Sequence, residues 1–326
     1  MDPIVSIVIP LFNKETTILR AINSVFYQTN KNFELIIVND GSTDNSAKLV
    51  ESLSEDKRVR LINQENSGPG AARNRGIREA KTDLIAFLDA DDEWLPGFLD
   101  AILMLREKYP DCEVFGTSFY ISEDSKQLYH PLAFTLYKED WEGIIPNYLD
   151  VILKGKFYPF NASSVAISKS ALERVGGFHE GIRYGCDVDT WIRLSFHSKI
   201  AFINKPYSIY HYEAENRSSM LYETMPEDYY PSVQLKNSLD RGEIPPQYIS
   251  SAKAFISKQQ IRGAIEYLKK GQNKRARKLI QSSFVNKKNL LSFIWIFLCT
   301  LIPRNLFLFI LRMKHMLFNQ KIESLP

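Results

Sequence analysis

Hydrophobic and polar positions alternate along the first 110 residues in two rhythms. Continuous apolar runs at VSIVIP (Val5–Pro10), FELIIVND (Phe33–Asp40), VRLIN (Val59–Asn63) and LIAFL (Leu84–Leu88) predict four buried strands. Between them the spacing turns helical. Thr17–Gln28 puts Ile18, Ala21, Ile22 and Val25 on one face, and Thr43 or Asp44 can cap a helix carrying Leu49, Val50 and Leu53. A third helix is expected from about Gly70 to Ala80. A fourth should start at Pro96, a residue favoured in a first turn, and run to about Tyr109. Such alternation implies an α/β fold with a parallel sheet covered on both faces.

The rhythm changes after residue 110. Val114–Tyr120, Ser164–Ile167, Ile200–Ile203 and Tyr207–Tyr212 have strand patterns, and Lys169–Val175 and Asp187–Ser198 have helical ones. Residues 224–250 contain Pro226, Pro231, Pro245 and Pro246 and read as a linker with a short helix; Ser251–Phe284 is helical and basic. The net charge of +3 over 326 residues conceals a division. From Ala252 onward there are 15 Lys/Arg and 2 Asp/Glu, so the tail carries +13 and the body −10. Opposite charges predict different partners: a body that attracts cations and a tail that attracts anions. Cys112, Cys186 and Cys299 form no CxxC pair and are odd in number, which argues against a disulfide framework or a cysteine zinc site and for a reducing compartment. MDPIVSIVIP has no basic region and reads as a first strand rather than a signal peptide.

Ligands of an open parallel sheet bind at the carboxyl ends of its strands. Strand one ends in Pro10-Leu11-Phe12-Asn13, strand two in Asn39-Asp40-Gly41-Ser42, and strand four in Asp89-Ala90-Asp91-Asp92. Like charges this close raise one another's pKa unless something cancels them. If Asp89–Asp91 stays extended, Asp89 and Asp91 point to one side, and oxygen-only ligands suit Mg²⁺ or Mn²⁺. A calcium loop is excluded: counted from Asp89, the sixth position is Trp94 instead of glycine and the twelfth is Asp100 instead of glutamate. Helix capping accounts for Asp92 or Glu93 but not for Asp89, which directly follows LIAFL.

Other segments carry candidate chemistry. In NSGPGAARNRG (Asn66–Gly76), Gly68 and Gly70 allow close backbone approach and Arg73 offers a fork for a phosphate or a base. It is not the dinucleotide fingerprint, because Arg73 replaces the third small residue and the segment follows strand three. In GGFHEGIRYGCDVDTWIRL, Asp187 and Asp189 open an amphipathic helix; Asp189 is expected to cap it, and Asp187 has a second reading as a general base. His211, late in YSIYHYE, is either structural or a metal or phosphate contact.

Taken together, VSIVIPLFN, IIVNDGSTD, NSGPGAARNRG, LIAFLDADD and GGFHEGIRYGCDVDTW resemble the inverting glycosyltransferases of family 2, in order and spacing, over about residues 1–220. The resemblance implies a GT-A fold with a C-terminal helical extension. It divides the chain into a nucleotide-sugar-binding half at 1–110, an acceptor-binding and catalytic-base half at 111–223, a linker at 224–250 and a tail at 251–326. It implies that Pro10, Phe12, Asn13 and Asp40 line the base and ribose. Gly70, Arg73 and Asn74 would lie beside the nucleotide, Asp89 near the ribose, Asp91 with His211 on Mn²⁺ or Mg²⁺, and Asp187 in place as catalytic base. The chain departs from the usual Glu-Asp pair, because Cys186 holds the glutamate position. The implied reaction moves a sugar from a nucleotide-sugar, UDP-linked, to a glycan or lipid-linked acceptor in bacterial surface polysaccharide assembly, with no nucleic-acid partner.

Two rivals are open to test. A sugar nucleotidyltransferase would need a glycine-rich loop after strand one, where Leu11-Phe12-Asn13-Lys14 stands. A catalytically silent glycan-binding or scaffold protein would tolerate Cys186. In the tail, Leu290–Leu311 is long enough to cross a bilayer but is interrupted by Pro303, Arg304 and Asn305. Flanked by Lys287, Lys288, Arg312 and Lys314, it reads as two short apolar segments lying in the cytoplasmic leaflet, a peripheral place at the inner face of the plasma membrane. A helical cap against the body or a homodimer partner is the alternative seat.

Overall fold

β1 (Val5–Leu11) is buried along nearly its whole length, with Ser6 as a polar interruption; the Ser6 hydroxyl donates to Glu34 Oε1 at 2.6 Å inside the sheet. In the computed structural model this strand lies in the interior of a sheet whose strands, in spatial order, are 59–64, 33–40, 5–11, 84–87, 165–168, 112–122, 199–211 and 93–94. The described residues are 3–322 apart from 54, 123–127, 130–136, 156–157, 183, 215–228 and 286–288. They fall into two compact units, Met1–Leu221 and Tyr222–Pro326. The boundary expected at 223/224 lies outside the described residues, as do Lys287 and Lys288.

In the first unit α1 (Ile18–Phe26), β2 (Phe33–Asp40), α2 (Ser46–Glu51), β3 (Val59–Gln64), α3 (Pro69–Glu79) and β4 (Leu84–Phe87) follow the expected alternation. β1 pairs in parallel with β2 and β4, and β2 with β3. Ile7, Ile9, Leu35 and Ile37 meet Ile18, Ile22 and Val25 in one apolar core. On the other face α3 approaches β1 so closely that a Cβ on Gly76 would lie 2.3 Å from Val8 Cγ1. The helix can cross here only without a side chain.

The next elements are β5 (Glu93–Trp94), α4 (Phe98–Lys108), β6 (Cys112–Ser122), β7 (Leu128–Tyr129), β8 (Glu142–Ile144), α5 (Tyr148–Lys154), β9 (Val165–Ser168), α6 (Lys169–Arg174), α7 (Cys186–His197) and β10 (Lys199–His211). β9 runs antiparallel between β4 and β6, so the sheet is mostly, not wholly, parallel. The two strands expected at 200–212 are one, β10, interrupted by register shifts around Pro206 that keep it paired to β6. Pro96 precedes α4 instead of opening it; Gly97, at φ 91°, makes the turn into the helix. The cause is β5, a two-residue strand held on β10 that uses the chain up to Trp94.

The second unit holds α8 (Tyr230–Asp240), α9 (Ile249–Lys269), α10 (Asn273–Gln281), α11 (Leu290–Cys299) and α12 (Arg304–Ile322). α8 packs on α9, so part of the expected linker is folded into this unit. Ala264, Leu268, Ala276, Ile280, Ile296 and Phe307 form its core. The apolar run breaks where expected, at Pro303, and no helix among the described residues is long and apolar enough to cross a membrane. Leu291, Leu298, Leu301 and Phe309 are exposed.

Candidate active site

The carboxyl ends of β1, β2, β3 and β4 meet along one edge. Asn13, at φ 50°, turns the chain out of β1, with its Oδ1 accepting the Thr43 N–H at 2.8 Å and its own N–H donating to Ser42 Oγ at 3.1 Å. Phe12 beside it is an exposed aromatic, 44% accessible. Asp40 ends β2 and is buried. Its Oδ1 accepts from Gln64 Nε2 (2.7 Å) and the Ser67 N–H (2.9 Å), and its Oδ2 from the Gly68 N–H (2.8 Å). Its immediate work is therefore to hold the loop that leads into α3.

Residues 89–92 are not extended. The Asp92 N–H donates to the Asp89 carbonyl at 3.0 Å, closing a turn. This turn places oxygens of Asp89, Asp91 and Asp92 within 4.8 Å of one another. Asp92, expected as a helix cap, is instead buried under the turn. It accepts the Ser163 hydroxyl and the His211 backbone N–H, the latter at 3.2 Å. Burial, reinforced by the charges of Asp91 and Asp89, pushes its carboxyl well above the ordinary range. Ser163 Oγ also accepts the Asp89 N–H at 3.1 Å, so one hydroxyl joins both ends of the turn.

Each of the other two carboxylates has a basic partner. Arg73, buried on α3, reaches Asp89 Oδ1 with Nη2 at 2.5 Å, Cys186 Sγ with Nη1 at 3.9 Å, and lies 5.4 Å from the centre of the Phe178 ring. Burial alone would favour losing its proton, but the charges of Asp89 and Asp187 outweigh this and raise its pKa. Lys14 Nζ sits 2.7 Å from Asp91 Oδ2, and Arg20 donates to the Asp91 carbonyl.

Asp187 stands in the first turn of α7, next to Cys186. A helix N-terminus favours a charged acid. Burial outweighs it and raises the pKa, opposed mainly by Arg73. Burial likewise pushes the Cys186 thiol up to about 12. Asp189 does not cap the helix; Gly185 does the turning, and Asp189 is buried, hydrogen-bonded with His179 Nδ1 (2.9 Å) and ion-paired with Arg193 Nε (2.8 Å).

Three expected site residues take structural places. Asn74 clamps the loop after α6: its Oδ1 accepts the Phe178 N–H at 2.9 Å and its Nδ2 donates to the Phe178 carbonyl at 2.8 Å. Gly70 lets α3 meet the same loop, since a Cβ there would lie 2.6 Å from the His179 carbonyl oxygen. His211 is outside the carboxylate triad. Its Nε2 faces Glu93 Oε1 and its Nδ1 faces Glu213 Oε1, each at 2.9 Å. Glu93, expected as a cap, is held below its usual range by that hydrogen bond from His211.

The sequence profile described as "Glycosyl transferase family 2" matches residues 6–176, which span β1, the acidic turn and the Arg73 helix. The chain belongs to glycosyltransferase family 2. A relative from Rickettsia bellii described as an uncharacterized glycosyltransferase is 31% identical over 229 residues, covering 67% of this chain and 30% of that protein. The putative glycosyltransferase EpsH of Bacillus subtilis is 33% identical over 160 residues, covering 49% of this chain and 45% of EpsH. The chain thus spans less than half the length of these relatives. Among solved structures, residues 1–349 of S. aureus TarS in complex with UDP-GlcNAc superpose with a TM-score of 0.65 at 18% identity, covering 85% of this chain and 81% of that one. The mannosyltransferase PcManGT of Pyrobaculum calidifontis, with GDP-Man and Mn²⁺, gives a TM-score of 0.57 at 16% identity, covering 90% and 79%. These likenesses establish the GT-A fold.

The acidic turn of this family 2 chain fits a hard divalent cation. All three donors are carboxylate oxygens, they converge within 4.8 Å, and two of them already hold a cationic side chain in place. Sequence reasoning missed Lys14, Arg20 and Ser163. Lys14 was legible as a base one residue past the end of the first-strand motif; Ser163, in FNASSVAIS, carries no local signal.

Proposed function

We propose that this chain is an inverting, metal-dependent glycosyltransferase that moves a sugar from a UDP-sugar to a hydroxyl of a glycan or lipid-linked acceptor. The observation that carries the reading is Arg73, whose guanidinium pairs with Asp89 and feels the charge of Asp187. One buried cation thus stands between the donor-side acid and the candidate base.

Pro10, Phe12, Asn13 and Asp40 line the base and ribose side, Phe12 by stacking and Asp40 through the loop it fixes. Asp89 and Asp91 would hold Mn²⁺ or Mg²⁺, with Asp92 beneath them. A bound ion would supply electrostatic stabilisation of the diphosphate leaving group, and Arg73 adds a fixed positive charge that needs no reorganisation. Asp187 takes the proton of the acceptor hydroxyl as that oxygen bonds the anomeric carbon and the diphosphate leaves from the opposite face, which inverts the centre. The raised pKa of Asp187 strengthens its carboxylate as a base.

The complexes of TarS with UDP-GlcNAc and PcManGT with GDP-Man and Mn²⁺ support the donor class and the metal. We place the reaction in bacterial surface polysaccharide assembly at the inner face of the cytoplasmic membrane. The exposed apolar residues of α11 and α12 and the basic residues of the tail would meet anionic lipid there. Thermal melts against UDP- and GDP-sugars with Mn²⁺, followed by product analysis of the best binder, test the reading. No stabilisation by any nucleotide-sugar would refute it.

A further inference from the structure

Three clustered carboxylates need counter-charge even when no ligand is bound. Arg73 supplies it to Asp89, and Ser163 and the His211 N–H stabilise Asp92. Asp91 is served by Lys14, with Nζ 2.7 Å from Oδ2 and both side chains largely enclosed, 12% and 13% exposed. The two basic partners differ in kind. Arg73 is a rigid fork buried on a helix, held by Asp89 and packed on Phe178. Lys14 donates its backbone N–H to Ser46 Oγ at 2.8 Å and carries its charge at the end of a flexible four-carbon stem. Its ammonium holds an oxygen of the very carboxylate that a divalent ion would need.

We propose that Lys14 is the exchangeable counter-ion of Asp91, a positioning residue whose ammonium yields the carboxylate when a divalent cation and a diphosphate arrive together, and then pairs with the diphosphate. The inference rests on the metal-dependent reading above. It makes metal and nucleotide binding cooperative: the metal alone must displace a bound ammonium, whereas with the diphosphate present that ammonium gains a new anion. By linkage each ligand then raises the affinity for the other by one common factor.

The test measures Mn²⁺ binding to the full chain by electron paramagnetic resonance, with and without UDP or GDP, for the wild type, Lys14→Met and Lys14→Arg. Removing the charge should tighten Mn²⁺ binding without nucleotide about tenfold and shrink the nucleotide's effect on it by a similar factor. Lys14→Arg should stay near the wild type. The gain should vanish when Lys14→Met is combined with Asp91→Asn, and unchanged melting temperatures establish that the variants are folded. If Mn²⁺ and nucleotide still bind together but Lys14→Met leaves the metal-only affinity unchanged or lower, the exchange is refuted and the glycosyltransferase reading stands. If no protein binds Mn²⁺ with either nucleotide, both fall.

Discussion

Arg73 and Asp89 form an ion pair, Nη2 to Oδ1 2.5 Å, that ties the glycine-rich helix to the acidic turn. The same guanidinium is within 3.9 Å of Cys186 Sγ, so it also reaches the start of α7, where Asp187 stands. Asp89 and Asp187, nearly a hundred residues apart in sequence, are thereby placed in one electrostatic field. That field makes specific demands of several residues.

Asp187→Asn keeps the shape of the first turn of α7 and removes the proton acceptor. Transfer should fall by about 10²- to 10⁴-fold, while binding of UDP with Mn²⁺, read by calorimetry, stays near the wild type. Because burial raises the Asp187 pKa above 3.8, the acid limb of the rate profile should have its midpoint above that value, with activity lost as pH falls through it. A profile that is flat down to pH 4 would exclude Asp187 as the base.

Asp92 sets the pH dependence of stability. Its folded-state pKa is raised, so the folded chain keeps a proton that the unfolded chain releases, and stability declines as pH rises from 3.8 through the raised value. Asp92→Asn has no such proton to lose. In EDTA the variant should be more stable than the wild type at pH 8, by about 1.4 kcal/mol for each pKa unit of the shift. The difference should close toward pH 4. The same variant should bind Mn²⁺ with nucleotide more weakly.

Ser163→Ala removes the hydroxyl that links Asp92 to the Asp89 N–H. Loss of the buried bonds should cost about 1–3 kcal/mol in urea unfolding. Affinity for nucleotide should drop more in Mn²⁺ than in EDTA, since the turn it supports is where the metal is expected. Equal losses in both would confine Ser163 to stability.

Gly76→Ala drives a Cβ to within 2.3 Å of Val8 Cγ1. Overpacking of this kind should destabilise the first unit by about 1–3 kcal/mol, seen as a lower urea midpoint.

The three thiols should be silent in the folded protein. Cys112, Cys186 and Cys299 are buried and in no disulfide, and burial pushes Cys186 up to about 12. A thiol reagent at pH 8 should react at an appreciable rate only after denaturant is added.

The strands and helices of the first 110 residues were legible because each is a local pattern: continuous apolar runs for buried strands and 3.6-residue spacing for the helices between them. The carboxylates at the ends of β2 and β4 followed from the same pattern, since parallel strands put their carboxyl ends on one edge. Arg73 and Asp187 were legible as candidates in their own segments, and the family resemblance gave them their expected roles. Local pattern failed where partners are remote. Asp92, Glu93 and Asp189 look like helix caps because acids precede or open helices. Their actual partners, Ser163, His211, His179 and Arg193, include residues up to 119 positions away in sequence.

By itself, then, the chain's order of residues determined which segments become strands and helices and which acids reach the ligand edge, because those depend on neighbours within a few positions. Only the tertiary structure decided which carboxylate is buried, which is neutralised and by which base. Charge pairing acts through space at a few ångströms, and Lys14 meets Asp91, Arg73 meets Asp89, and Ser163 meets Asp92 only when β1, α3 and the segment before β9 are folded side by side.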